Sequence, residues 1–232
     1  MLEYDKHLLK DCGIDVRIAA SVVITHPGLV RIGDHVSIDP FTYATTALEI
    51  GSYVHIGPHS SIIGGPGAVC TIENFCSLAA GVRLVCGSDD FLGSGLTNPT
   101  VPAAYHGRLD VRPMNIRKYA ILGTNVVVLP GTTVGEGAAV GACSLVTKDL
   151  EPWWLYVGVP ARARRERSKE AILECEARLK RDMADLLHDA QPVAHPGRDS
   201  INTSEALWTR LAELPHAAAT LRRNGRTDPP HP

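Results

Sequence analysis

Aliphatic residues recur at every sixth position along most of this chain. The repeat is clearest over 116–151, where an aliphatic residue opens each block of six and a small or β-branched residue fills the fifth place. The opening positions, which we call heads, are Ile116, Leu122, Val128, Val134, Val140 and Val146. A period of six fits neither the 3.6 residues of an α-helical turn nor the 2 of an ordinary strand. It is typical of a parallel β-helix, in which three short strands form a triangular coil of roughly 18 residues and each head points inward.

The same repeat runs through the first half of the chain in a less regular form. It starts loosely at residue 14 and becomes regular where IGDHVS, IGSYVH and IGPHSS are copies of one unit. The heads of this half are Ile18, Ile24, Val30, Ile32, Ile38, Ala44, Ile50, Ile56, Ile62, Ile72, Leu78 and Leu84. Four residues are inserted around GGPGA at 64–68, where Gly and Pro favour a turn that bulges outward. Where Gly follows a head, we expect it to serve the sharp corner of the coil. The sequence therefore predicts a mainly β protein.

The repeat stops for one long segment, 85–115. Its residues, VCGSDDFLGSGLTNPTVPAAYHGRLDVRPMN, are rich in Gly, Pro, Asn and Asp and show almost no periodicity. A loop of this length within a compact repeat domain usually has a function. We expect a single excursion loop that leaves the side of the β-helix.

Four regions follow from these patterns. Residues 1–13 read as an N-terminal leader with a helical pattern over 2–12, and 14–151 as the β-helix with its excursion loop at 85–115. Residues 152–190 read as a basic connector and a C-terminal helix, which the apolar stripe predicts over 169–190. The tail at 191–232 is expected to be partly disordered, with a short helix at 203–214.

Composition and charge narrow the class of protein. Hydrophobic residues make up 44% of the chain, and the aromatic content of 5% suits a narrow interior filled with Val, Ile and Leu. A net charge of −2 gives no reason to expect nucleic acid or an anionic membrane as a partner. No apolar run approaches the ~20 residues of a membrane span, and the N-terminus shows no signal-peptide pattern. The six cysteines form no C-x-x-C pair, so we expect reduced thiols in a cytoplasmic protein.

The end of the repeat carries more information than its period. PGTTVGEGAAVGACSLVTKDLEPW at 130–153, followed by VGVPARARRER at 157–167, resembles the C-terminal signature of the hexapeptide-repeat acyltransferases, and the resemblance covers about residues 14–175. SDDF at 88–91, LTNPTVP at 96–102 and EPWWLY at 151–156 are most similar to the branch that acts in O-antigen and capsule biosynthesis. The resemblance implies a left-handed β-helix, a homotrimer, and acyl-CoA bound in a groove between subunits. It also implies transfer of an acetyl group from acetyl-CoA to a hydroxyl or amino group of a sugar, without a metal.

Such a reaction needs a base that takes the proton of the acceptor, and His is the usual base because its pKa lies near neutrality. His55 closes a repeat block just before the glycine-rich bulge, where relatives in this branch have a similar His-Ile step, and we take it as the first candidate. His106 in the excursion loop is the second, because other members of the family carry their catalytic His there, although AAYHGRLD lacks the usual His-Pro context. We expect His35 and His59 to be solvated.

The acidic pair Asp89 and Asp90 matches the SDDF string of the branch. One of these carboxylates is expected to orient the imidazole or to bind the acceptor sugar, as carboxylates do for hydroxyls and amines; the alternative is that they cap a turn. Asn98 and His106 are weaker candidates for the acceptor pocket.

The family positions for coenzyme A are carried over residue by residue. Small residues would let the pantetheine arm approach closely, and the cations are suited to the diphosphate and the 3′-phosphate. These positions are Thr124, Ala142, Thr147, Lys148, Arg162 and Arg165.

Two rival functions use the same fold. The γ-type carbonic anhydrases bind zinc through three His that include a His-x4-His pair, whereas the nearest pair here, His55 and His59, has three residues between its members. A β-helix scaffold without catalysis would not need a set of cations for phosphates, and TKD and GVPAR are both intact. The acyltransferase is the function that the sequence favours.

Overall fold

The computed structural model describes residues 3–189 and Arg210. The chain divides into two compact units, Met1–Ser168 and Lys169–Pro232. The first unit contains a parallel β-helix, which confirms the predicted fold class. The second contains the helix α1, Glu170–Asp189, within one residue of the predicted bounds at each end. The predicted tail and its short helix lie outside the described residues, apart from Arg210.

The β-helix has three faces, each a sheet of stacked short strands. The first sheet contains β1 (Asp11–Cys12), β4 (Val30–Ile32), β7 (Ala47–Ile50), β10 (Val69–Ile72), β15 (Met114–Ile116) and β18 (Thr133–Val134). The second contains β2 (Arg17–Ile18), β5 (Ser37–Ile38), β8 (His55–Ile56), β11 (Ser77–Leu78), β16 (Ile121–Leu122), β19 (Ala139–Val140), β21 (Trp154–Val157) and β22 (Arg162–Glu166). The third contains β3 (Val23–Ile24), β6 (Tyr43–Ala44), β9 (Ser61–Ile63), β12 (Arg83–Val85), β17 (Val127–Val128) and β20 (Leu145–Val146). All neighbours in these sheets are parallel except β21 and β22.

The interior is filled by the heads. Every predicted head is buried, and in most two-residue strands the head is the second residue. The residue two places before the head also points inward, and where it is polar its hydroxyl is satisfied locally: Ser60 donates to the carbonyl of Gly57 at 2.8 Å, and Thr132 to that of Leu129 at 2.6 Å. A buried hydroxyl with such a partner escapes most of the cost of leaving water.

Glycine directly after a head has a different role from the one expected. The residue in the left-handed region stands three places after the head, at positions such as His35, Tyr53 and Asn125. Glycine directly after the head is required by the next coil, because a Cβ on Gly57 would lie 2.8 Å from the carbonyl carbon of Ala79. The stacking distance between coils, rather than a corner conformation, excludes a side chain there.

A stack of rings runs along the corner between the first and second sheets. His35, Tyr53, Phe75, Tyr119 and Trp153 stack in that order, with ring centroids 4.8–5.7 Å apart. His35 also lies 3.1 Å from Asp15 through Nδ1, and only 7% of its side chain is exposed. The expectation that His35 is solvated is therefore wrong, because the stack covers its ring.

Between His35 and Trp153, Gly137 occupies a corner position of this stack without a ring, and its replacement by alanine should be costly. Its φ is +65°, and an added Cβ would run into the ring of Trp153. We expect Gly137→Ala to lower the free energy of unfolding by about 2–4 kcal/mol, through left-handed strain and overpacking together. Gly65→Ala is the matched control, since Gly65 has φ +71° with nothing within 4 Å of the added Cβ. Its cost should stay at about 1 kcal/mol in denaturant titrations, and equal losses in both variants would contradict the role of Trp153.

The segment predicted as a leader is not α-helical. Lys6–Leu8 form a single 3₁₀ turn, and Asp11–Cys12 already pair with Arg31–Ile32. The pairing with the next coil satisfies more backbone groups than an isolated turn of helix would. At the other end, β21 and β22 form an antiparallel hairpin on the second sheet, within the segment 152–168 that reads as a connector in the sequence.

The excursion loop leaves the corner between the third and first sheets. Its root is a two-stranded antiparallel sheet of β13 (Gly87–Asp89) and β14 (Leu109–Val111), and Ala103–Tyr105 form a 3₁₀ turn further out. The glycine-rich bulge predicted at 64–68 supports this root, because a Cβ on Gly87 would lie 2.8 Å from the Cα of Gly64. The excursion is thus attached through a close backbone contact.

All six cysteines are free thiols, as predicted. Cys70, Cys76 and Cys86 are buried in the core, and burial raises the pKa of the Cys76 thiol to about 12. A thiol with such a pKa stays protonated at neutral pH and is unreactive.

Candidate functional site

A cleft of about 1140 Å³ lies between the excursion loop and the corner of the later coils. The excursion contributes Asp89, Asp90 and Arg108 to its wall, and the coil corner contributes Thr147 and Lys148. The rest of the lining includes the apolar side chains of Val85, Phe91, Leu92, Leu109 and Leu129. The cleft therefore combines carboxylates, cations and apolar surface, the combination expected of a site for a polar molecule with a hydrophobic part.

The two carboxylates of this cleft have different surroundings. Asp90 accepts hydrogen bonds from the backbone N–H groups of Leu92 at 2.8 Å and Ser94 at 3.2 Å. Hydrogen bonds from Ser94, and then from the Leu92 backbone, lower the pKa of Asp90 below its ordinary value. Asp89 lies at the end of β13, opposite Leu109, at the root of the excursion loop. Asp90 thus holds the loop in shape, and Asp89 is the carboxylate better placed to contact a ligand.

The two other loop candidates do not line this cleft. Asn98 accepts hydrogen bonds from the backbone N–H and the hydroxyl of Thr100, at 3.0 and 2.6 Å, and has a left-handed φ of +82°. His106 ends the 3₁₀ turn and bridges Leu96, and its buried Nε2 has no hydrogen-bond partner among the described residues. Both residues shape the excursion loop.

His55 lies on the outer surface of the second sheet. It is the first residue of β8, its side chain is 51% exposed, and its Nε2 lies 2.9 Å from Oδ2 of Asp39. Asp39 follows the buried head Ile38, so it points outward on the same face. This pair was missed in the sequence. The available signal was a carboxylate directly after the head Ile38, at the position that Gly57 occupies in the next coil.

One row of outward side chains joins this histidine to the predicted arginines. In register across the second sheet, the row runs Arg17, Ser37, His55, Ser77, Ile121, Ala139, Leu155 and Arg165. Strands in a sheet lie roughly 4.8 Å apart, so five steps put Arg165 about 24 Å from His55. Arg162 stands opposite Val157, on the same face as Leu155. The row from His55 to Arg165 and an extended pantetheine arm are therefore of the same order of length.

The predicted coenzyme A residues fall into two groups. Thr124 and Ala142 lie one coil apart at the corner beside the second sheet, where the N–H of Cys143 donates to the carbonyl of Thr124 at 2.8 Å. With Arg162 and Arg165 they adjoin the face that carries His55. Thr147 and Lys148 follow β20 and line the cleft at the corner between the third and first sheets. In a triangular coil that corner is opposite the second sheet, so one chain does not bring the two groups together.

Within 3–189, no group of three or more His, Cys, Asp or Glu side chains is arranged to hold a metal ion. His55 points outward from the second sheet, and His59 stacks on Phe41 at the next corner with ring centroids 5.0 Å apart. Among the helices that the structure describes, none has the length and apolarity to cross a bilayer.

Comparisons with known proteins give the same class of enzyme that the sequence favours, an acyltransferase. No family model matches the chain. The chain is 34% identical over 174 residues to a dTDP-4-amino-4,6-dideoxy-D-glucose acyltransferase of Escherichia coli, which covers 74% of this chain and 88% of that protein. The structure of this chain is similar to that of AntD, an N-acyltransferase from Bacillus cereus that was solved with dTDP and 3-hydroxybutyryl-CoA. The TM-score is 0.74 and the identity 31%, and the match covers 78% of this chain and 98% of AntD.

A variant of AntD in which a serine is replaced by cysteine was solved with dTDP-4-amino-4,6-dideoxyglucose and coenzyme A. It has a TM-score of 0.71 and 28% identity, over 77% of this chain and 97% of the other. The identity to the Escherichia coli enzyme extends over 74% of this chain, and the architecture shared with AntD extends over 78% of it. This chain belongs to the hexapeptide-repeat family of sugar acyltransferases, with the left-handed parallel β-helix of that family.

Proposed function

We propose that this protein transfers an acetyl group from acetyl-CoA to the amino group of a nucleotide-linked amino sugar. The observation that carries the proposal is the cleft at the excursion loop, which is lined by Asp89 and Asp90 together with the cations Arg108 and Lys148. Carboxylates suit an amino group as hydrogen-bond donor, and cations suit the diphosphate of a sugar nucleotide. The similar enzymes, one from Escherichia coli named for a dTDP-linked amino sugar and one from Bacillus cereus described as an N-acyltransferase, support N- over O-acylation.

Coenzyme A would lie along the row on the second sheet. Arg162 and Arg165 are exposed on the terminal strand, where they would bind the phosphates of the coenzyme. Ala139 and Ser77 have small side chains along the path, which leave room for the pantetheine arm. The thioester would then reach the level of His55, at the other end of the row.

The mechanism is direct attack without an acyl-enzyme intermediate. The amino nitrogen attacks the thioester carbonyl carbon, so that a C–N bond forms and the C–S bond breaks. His55 accepts the proton that the nitrogen loses and returns it to the departing thiolate of coenzyme A. An exposed imidazole fits this role because both partners must reach it, and 51% of the His55 side chain is exposed.

The active site would be shared between copies of this chain in a homotrimer. His55, Arg162 and Arg165 belong to one face, whereas Asp89 and Lys148 belong to the opposite corner. A ring of three copies lets the corner of one chain meet the face of the next, and each interface repeats the same contact. The excursion carries the side chains of Phe91 and Leu92, each 91% exposed, which a neighbouring copy would cover.

An assay of acceptor preference tests this proposal. Incubation with acetyl-CoA and dTDP-4-amino-4,6-dideoxyglucose should release coenzyme A and give the N-acetylated sugar nucleotide, detected by mass spectrometry. The same sugar nucleotide with a hydroxyl in place of the amine should show a kcat/KM at least about tenfold lower, because the carboxylates lose a charge-assisted hydrogen bond. Asp89→Asn should reduce this preference, whereas Glu49→Gln, on the first sheet, is the matched control and should keep it. No transfer to any nucleotide-linked amino sugar would contradict the proposal.

A further inference from the structure

We propose that Asp39 is a positioning residue that fixes the ring of His55 for proton transfer; the proposal rests on the proposed function in taking His55 as the base. The sequence pattern suggested Asp89 or Asp90 for this task. Within the chain, however, His55 is bonded to Asp39 through Nε2 at 2.9 Å, and Asp90 is engaged with the backbone of its own loop.

The geometry of the pair determines which nitrogen is free. A carboxylate accepts and cannot donate, so Nε2 carries the proton toward Oδ2 of Asp39. Nδ1 is then left with its lone pair, and it is the nitrogen that would take a proton from the acceptor amine. Without Asp39 the exposed ring would populate both tautomers and rotate, and only part of the population would present a basic nitrogen to the substrate.

The backbone of Asp39 is fixed by hydrogen bonds at both its N–H and its carbonyl group. Its backbone N–H donates to the carbonyl of Ile56 at 2.9 Å, and its carbonyl accepts from the hydroxyl of Thr42 at 3.0 Å. Pro40 follows it and fixes the next φ. The hydroxyl of Ser37 lies 3.5 Å from the other carboxylate oxygen. A carboxylate on such a fixed backbone can hold a neighbouring ring in one orientation.

A second pair in the same β-helix shows what distinguishes this one. Asp15 and His35 are also in contact, at 3.1 Å, but their side chains are only 17% and 7% exposed. The ring of His35 is stacked on Tyr53 within the row of aromatic rings. That pair serves packing, whereas the pair of Asp39 and His55 is open on the proposed coenzyme A face and can contact a substrate.

Nuclear magnetic resonance of protein with 15N-labelled histidine tests the proposal, because it reads the tautomer without reference to activity. In the wild-type protein the neutral ring of His55 should carry its proton on Nε2, and Asp39→Ala should give a mixture of both tautomers. The kcat of Asp39→Ala should fall by about 10- to 100-fold with little change in the KM for acetyl-CoA, and Asp39→Glu should recover part of the loss. Asp15→Ala is the matched control and should leave the His55 signals and kcat unchanged.

The outcomes separate the two proposals. A wild-type His55 protonated on Nδ1, or an Asp39→Ala variant with unchanged tautomer and kcat, would overturn the role of Asp39; the first of these is measured even if the variant does not fold. A His55→Ala variant that keeps its kcat would instead overturn the proposed base, whatever the tautomer.

Discussion

Replacing His55 by alanine is expected to lower kcat by about 10²–10⁴-fold, the usual loss when a general base is removed. The KM for acetyl-CoA should change little, because the arginines proposed to bind its phosphates lie at the far end of the second sheet. Steady-state kinetics with saturating acceptor measures both constants.

Two other histidines provide the controls for this measurement. His59→Ala should keep its kcat within a few fold, since the ring of His59 stacks on Phe41 at a corner and does not belong to the row on the second sheet. His106→Ala tests the competing candidate in the excursion loop. A loss below tenfold in His55→Ala together with a severe loss in His106→Ala would transfer the role of base to His106.

Mixed trimers of two impaired variants are expected to recover activity. One variant carries His55→Ala, and the other carries Asp89→Asn and Asp90→Asn. The two chains are co-expressed with different affinity tags, and only assemblies that contain both are purified. If each site takes its histidine from one copy and its carboxylates from the next, every mixed ring of three contains one intact site, so kcat should return to about one third of the wild-type value.

The control for the mixing experiment uses residues that share one face. His55→Ala combined with a variant carrying Arg162→Ala and Arg165→Ala should show no recovery, because all three side chains belong to the same face of the same chain. Failure of the aspartate variant to recover in mixed trimers would show that the site is not shared between copies. Recovery of activity when the His55→Ala chain is combined with the arginine variant would show that His55 and the two arginines of one site come from different copies.

Much of the β-helix was predictable because its period repeats a local rule. Each head, such as Ile72 or Val128, is aliphatic because its side chain points into the narrow, closely packed interior of the coil. The bulge at 64–68 and the excursion loop are visible as interruptions of that rule. The role of glycine was misjudged, since the contact that excludes a side chain at Gly57 comes from Ala79, in the next coil.

The candidate site was predictable in its parts but not in its arrangement. His55, Asp89 and Lys148 each follow from a motif or a place in the repeat. Their distribution over opposite sides of the triangle depends on which corner each one occupies, and that depends on the residues inserted in every earlier coil. The contact of Asp39 with His55 was missed because the two residues lie sixteen positions apart in sequence and meet only when two coils are stacked.

The sequence by itself determined the architecture of this protein and the chemical types in its site, because a hexapeptide period and short motifs act within a single block. Tertiary structure decided which side chains meet. Coil stacking joined Asp39 to His55 and aligned Arg165 with them on one face, and it put Asp89 and Lys148 at the opposite corner. The physical reason is that the number of preceding residues sets two things for each side chain: its level along the axis of the β-helix and the face or corner of the triangle that it occupies. No single block determines either of them.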